Sequence, residues 1–469
     1  MHGFATPRRL AAALTAAVIS ALLLPATSPA AAGSLDRSFH GNGRLVIKAT
    51  RVKSSDNPFE VTRLEPPPVL SAPGPKGELV IARDGRVLRY RADGRPRKRF
   101  GGDGRAAIPT WEGMSFRLAG LAVDSRGRVL VAGTTMPAGA TGGSLYARVS
   151  VYRFMLDGKL DRSFGEGGVA GTSLGPMHAT GLAVDSLDRP VLSGVSALTP
   201  SFCNQTPVYL NTTVIARLTA RGAPDPTFGE GDGTFTDPLE DAHLPTLSPN
   251  RQVVYVSVPE QRCDGFAGHE FGHIPMASIL TPGGDLFLRF PFVLNTAGVI
   301  FDSLTSLAVD RRNRIVILTT SGPPEGGGIS QQLSRLLPDG SPDPEFGRYS
   351  QSAGTEPAPG PPGGRFFAVT TDARNRIILA GSAQRHEGRL VPHGFLATRL
   401  NAAGKTQTWF GRDGAAKVAF GKLTDATATQ VHVDSRGRIV LGGTVITLRL
   451  NQTPTGYGLA FARLLSGRR

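Results

Sequence analysis

His269-Glu270-Phe271-Gly272-His273 carries the residue types of a hydrolytic metal centre. Two histidines four apart on one helical face can hold zinc, and the glutamate between them can take a proton from a zinc-bound water. The flanks argue against that reading. The run from Cys263 to Gly268 has no helical amphipathicity, and Pro275 follows two residues after His273. The segment is read as a loop, and no catalytic residue or cofactor is assigned. Zinc held by His269 and His273, with Glu270 as general base, is carried forward as the alternative: a metal-dependent hydrolase. The only two cysteines, Cys203 and Cys263, lie 60 residues apart, and a disulfide between them is expected.

Arginines supply a second constellation. They recur around one tight turn, as in Asp124-Ser125-Arg126-Gly127-Arg128 and Asp434-Ser435-Arg436-Gly437-Arg438. Arg126, Arg128, Arg312, Arg314, Arg374, Arg376, Arg436 and Arg438 are the candidate contacts to an anionic ligand. The competing reading pairs each arginine with a neighbouring aspartate as a solvated rim. Phosphate-binding loops, nucleophile elbows and dinucleotide fingerprints are missing from any strand-to-helix context.

Those turns belong to a repeat. An apolar strand, a turn and a second strand recur from Leu121, Leu182, Leu307, Val369 and Val431, with worn copies from Ser71 and Pro245. The turn opens at Gly74, Asp124, Asp185, Ser248, Asp310, Asp372 and Asp434, mostly 61 to 63 residues apart. Its fourth position, which needs a left-handed backbone, is assigned to Gly127, Asp188, Asn250, Asn313, Asn375 and Gly437. In phase with it, a glycine precedes a phenylalanine by six residues: Gly33/Phe39, Gly94/Phe100, Gly158/Phe164, Gly222/Phe228, Gly284/Phe290, Gly340/Phe346 and Gly404/Phe410. Four short strands per unit make one antiparallel sheet that cannot bury both faces alone. Seven such sheets stacked around an axis solve the problem. The expectation is all-β: a seven-bladed β-propeller with phenylalanine wedged between blades. The first unit lacks its first three strands and the last lacks its fourth. Gly43–Lys48 is therefore expected to pair beside Leu459–Leu464 and close the ring.

"LDRSFGEGG" from Leu160, "LAVDSLDRPVLSGV" from Leu182 and "RLLPDGSPDPEFG" from Arg335 resemble the delta-60 repeat family of exported bacterial proteins. The resemblance implies a propeller and export, and no catalytic motif.

Residues 1–32 read as an export signal. Arg8 and Arg9 precede the apolar run Leu10–Leu24, and small residues up to Ala32 offer a cleavage site. Residues 33–469 then form one propeller domain, secreted or extracytoplasmic, expected to be monomeric and without a transmembrane segment. The formal charge of +15 becomes +13 without Arg8 and Arg9. That excess favours an anionic glycan, a wall polymer or a protein as partner, and the compartment disfavours nucleic acid. Six histidines, His178, His243, His269, His273, His386 and His393, fall with both cysteines on the face opposite the arginine turns. The functional expectation is a non-catalytic binding scaffold.

Overall fold

A computed structural model of the chain describes residues 31–51, 70–140, 146–203, 206–237, 242–257, 276–291, 303–321, 330–346, 355–357, 364–383, 393–449 and 454–467. They form seven four-stranded antiparallel sheets in a ring, a seven-bladed β-propeller. Blades 1 to 6 follow in chain order over 70–107, 114–170, 178–237, 242–291, 303–357 and 365–418. Blade 7 takes three strands from Thr424–Val433, Ile439–Leu448 and Pro454–Leu464. Its fourth is Arg44–Arg51. Arg44 stands opposite Ala462 and Lys48 opposite Gly458, so the ends of the chain close the ring as expected.

Alternation along the second strand of each blade shows why the sheets stack. In blade 2, Val129 and Val131 pack with Val80 and Val87 of blade 1. Leu130 and Ala132, on the other face, pack with Leu192 and Val214 of blade 3. Each central strand is therefore apolar on both faces, and the core is a series of layers between blades. The innermost strands carry a recurrent bulge, between Leu118 and Gly120, Ala179 and Gly181, Leu304 and Ser306, Phe366 and Ala368, and Ala428 and Gln430. Such a bulge bends and twists the strand near the axis.

Phe39, Phe100, Phe164, Phe228, Phe346 and Phe410 are fully buried wedges. The residue after the wedge donates its amide to the turn of the next blade: Gly101 to Asp157, Gly165 to Arg221, Gly229 to Gly283, and Gly411 to Ala32. Backbones approach so closely there that a Cβ on Gly158 would lie 2.6 Å from the Gly101 nitrogen. Gly158 also has φ of 85°, so the position requires glycine twice over.

Blade 4 departs from the pattern. Its outer strand, Leu286–Pro291, pairs directly onto Met276–Leu280 without the intervening wedge turn. Phe290 thus stands opposite Ala277 in the sheet and is not the wedge the Gly284/Phe290 spacing predicts. Its first turn differs as well. Arg251 holds the left-handed position, with φ of 67°, because its amide closes the turn to the Ser248 carbonyl. Asn250 is the third residue of the turn, not the fourth: the Ser248–Arg251 spacing is that of Asp124–Gly127, and the expectation followed residue type instead of position.

Candidate functional site: the axial funnel and its arginine turns

The first-hairpin turns gather at one end of the ring axis. In five of the seven, an aspartate organises the backbone. Asp124 Oδ1 accepts the amides of Arg126 and Arg128 at 3.0 and 2.8 Å, and the Gly127 amide closes onto the Asp124 carbonyl. Asp310, Asp372 and Asp434 repeat the arrangement. Neighbouring turns are also linked, since Asp188 accepts from the Ser125 amide and Asn375 from the Arg311 amide.

The eight candidate arginines separate into two sets. Arg128, Arg314, Arg376 and Arg438 fold back on their own turns. Their Nε atoms reach Asp124, Asp310, Asp372 and Asp434 at 2.6–2.8 Å. Arg128, Arg314 and Arg438 extend further, to Asp161, Asp343 and Asp36 beside the wedge. Each of those aspartates also binds a buried arginine from the third strand, Arg153, Arg335 or Arg463. That second guanidinium lies over the wedge ring, 4.2 Å from Phe164 and 4.6 Å from Phe346 and Phe39. Two arginines and two aspartates therefore form a linked quartet that ties the first turn, the third strand and the wedge together. Burial alone would raise the Asp161 pKa. The Ser163 hydroxyl and the Arg153 guanidinium more than offset it and hold the carboxyl below its usual value. The charges of these four candidates are engaged by the scaffold, as the competing reading of the rim requires.

Arg126, Arg312, Arg374 and Arg436 point to solvent. Arg374 and Arg436 line a funnel of about 920 Å³ at the axis, together with Arg251 and Arg311. Val184, Leu247, Val309 and Val433, at the ends of the innermost strands, line it beside Ser186, Ser248, Thr371 and Ser435, so the wall is mixed. Asp185, Asp310, Asp372 and Asp434 are part of the lining but buried within their own turns. The mouth therefore presents guanidiniums around a mixed polar and apolar throat, a surface that can take an anionic ligand. Arg251 and Arg311 stand in the same repeated turns as the eight candidates, but only the closure of the propeller brings them to the axis.

Three blades depart from the quartet. In blade 6 Gln407 replaces the aspartate, and Arg399 Nε donates to its Oε1 at 2.7 Å. Desolvation, then the nearby Arg376, pull the Arg399 pKa down to about 10. Blade 1 reverses the signs. Glu78 stands where other blades have arginine, Arg97 stands where they have aspartate, and Glu78 holds both Arg89 and Arg97. Blade 4 has no quartet. The Tyr255 hydroxyl instead donates to Asp237 of blade 3 at 2.6 Å, beside Arg289.

On the opposite face, His178 opens the first strand of blade 3, and its pKa is lowered by burial and then by Arg117. His243 lies in the first strand of blade 4, and His393 precedes the third strand of blade 6. His269, Glu270, His273, His386 and Cys263 lie outside the described residues, as does the side chain of Cys203. Among the described residues, no three His, Cys, Asp or Glu side chains gather to hold a metal ion. Within the same residues, no helix is long and apolar enough to cross a membrane.

No protein-family model and no curated protein matches the chain. Solved structures similar to it include a protein of unknown function from Dyadobacter fermentans, with 12% identity, 75% of this chain and 100% of that one covered, and a TM-score of 0.40. The polysaccharide lyase Uly1 has 9% identity over 84% of this chain and 88% of its own, with a TM-score of 0.45. An α-L-arabinofuranosidase of Fusarium graminearum has 12% identity over 76% and 97%, with a TM-score of 0.39. At these identities no activity carries across to this chain.

Proposed function

We propose that this chain is an exported, non-catalytic binding propeller of the delta-60 type, and that an anionic ligand enters the axial funnel from the arginine-turn face. One observation carries the reading. The turns that line the funnel bury their carboxylates in their own backbone and leave Arg311, Arg374 and Arg436 exposed at the mouth. Cations are offered there, and the carboxylates a hydrolase would need are already engaged. A glycan, a wall polymer or a protein with an acidic group fits the chemistry.

The test is a glycan array with the purified chain at two salt concentrations, compared with Arg374→Ala/Arg436→Ala. Saturable binding that weakens in the double variant and at high salt is expected. Binding indifferent to both changes would remove the funnel from consideration. Zinc analysis addresses the alternative. Stoichiometric zinc lost in His269→Ala, with hydrolysis lost in Glu270→Ala, would replace the binding reading with a metal-dependent hydrolase.

A further inference from the structure

We propose that a groove on the outer part of blade 1 is a second anion site, built for an extended acidic polysaccharide. It does not depend on the funnel being a ligand site.

The groove lies at the wedge turn, where blade 1 departs from the repeat. In blades 2, 3, 5 and 7 the wedge phenylalanine follows an aspartate by three residues: Asp161, Asp225, Asp343 and Asp36. The aspartate caps the turn, as where Asp161 Oδ1 accepts the Ser163 amide and hydroxyl. Blade 1 reads Arg97-Lys98-Arg99-Phe100. Its backbone closes the same way without the cap: the Phe100 amide reaches the Arg97 carbonyl at 2.8 Å, against 2.9 Å for Phe164 and Asp161. Closing the turn therefore requires no cation at these positions.

Only Arg97 has a structural task there, in the reversed pair with Glu78. Arg95, Lys98 and Arg99 are exposed and have no ion-pair partner among the described residues. Arg91 meets the exposed Asp93 at 3.0 Å. Arg91, Arg95, Arg97, Lys98 and Arg99 line a groove of about 950 Å³ with Asp103; Asp93 and Glu78 already pair Arg91 and Arg97, which leaves Arg95, Lys98 and Arg99 facing that one lining acid. Like charges crowded to this degree repel one another, and an anion relieves the repulsion.

The lining also selects the class of anion. Its remaining residues are Pro96 and Gly102, with no aromatic face on which a base could stack, which counts against single-stranded nucleic acid. The neighbouring outer strand, Arg105–Ala107, is three residues long and offers little edge for an acidic peptide to add as a strand. Guanidinium forks in an open groove match carboxylates or sulfates spaced along a sugar chain.

Polygalacturonate, dextran sulfate, neutral dextran, polyglutamate and a single-stranded oligonucleotide would be titrated into the purified chain at two salt concentrations. The proposal expects polygalacturonate or dextran sulfate to bind most tightly and neutral dextran not to bind. Arg95→Glu/Lys98→Glu/Arg99→Glu should weaken that binding about tenfold or more at an unchanged melting temperature. Lys98→Gln/Arg99→Gln serves if the triple variant fails to fold. Arg374→Ala/Arg436→Ala should leave this binding intact, which separates it from the funnel. Binding unaffected by the groove variants, no binding of either acidic polysaccharide at low salt, or an oligonucleotide or polyglutamate bound as tightly, would each overturn the proposal.

Discussion

Glu78 and Arg97 show that the polar quartet is selected as a unit. Either residue placed alone in an ordinary blade would set like charges together in a buried site. In blade 1 they are exchanged as a pair, and Glu78 keeps both arginines satisfied. Glu78→Ala should cost about 3 kcal/mol or more, because it strands the buried Arg89. Glu78→Arg should cost at least as much, and adding Arg97→Asp should recover much of the loss. A double-mutant cycle by denaturant unfolding that shows no coupling would contradict this. Acid should act on the same residue scale. Removal from water pushes His432 down to about 4, with Asp434 pulling weakly the other way. The unfolded chain then binds the extra proton first, so stability is lost as pH falls from about 6.5 towards 4. Asp36, Asp161 and Asp225 are held below their ordinary value despite burial, by hydroxyl and arginine partners. Their contribution is present above about pH 4 and lost below it. Melting curves across this range should show both phases, and His432→Gln should remove only the first.

At the scale of the element, the glycine of one blade against the wedge of its neighbour is the joint that sets blade spacing. Gly158 and Gly167 both have positive φ, but only Gly158 faces a neighbour's backbone, whereas Gly167 faces open space. Gly167→Ala should therefore cost about 1 kcal/mol from backbone strain alone. Gly158→Ala should cost more than about 2 kcal/mol, since strain and a main-chain collision add. Phe164→Ala should cost about 3–5 kcal/mol, losing ring burial and the surface beneath Arg153. Equal melting temperatures for the two glycine variants would show that the joint is looser than its geometry.

For the whole molecule, the seam is the decisive feature. Asp36, from the start of the compact unit, binds Arg438 and Arg463 near the end of the chain, at 3.2 and 2.8 Å. Deleting residues 33–48 removes the outer strand of blade 7, its wedge Phe39 and this carboxylate together. The deletion should lower the melting temperature far more than trimming an ordinary terminus. The seam also reaches back past Gly33. The compact unit begins at Ala31, the buried Ala32 packs in the cluster around Phe410, and its carbonyl accepts the Gly411 amide at 2.9 Å. A chain starting at Ala31 should melt higher than one starting at Gly33. Identical melting would show the Ala32 contacts to be dispensable.

Period, strand pattern and turn chemistry are local properties, and they determined the blade count, the four strands per blade and the closing strand. The left-handed turn position was legible at Asp188, Asn313 and Asn375 because few residue types tolerate it. At Asn250 residue type misled, because the turn keeps its spacing from Ser248 and puts Arg251 at the left-handed position; at Phe290 spacing misled, because blade 4 lacks the wedge turn. The arginines marked the limit of local reading. Arg374 and Arg376 stand two apart in one turn, and nothing in their types says that one is exposed at the axis while the other is tied to Asp372. The geometry of the folded turn decided the second, folding Arg376 back onto Asp372, and closure of the ring decided the first, bringing turns some 60 residues apart onto one axis. The groove of blade 1 was hidden for the same reason. Arg97, Lys98 and Arg99 read as a short charge run until the fold showed which cation Glu78 holds and which it leaves to solvent.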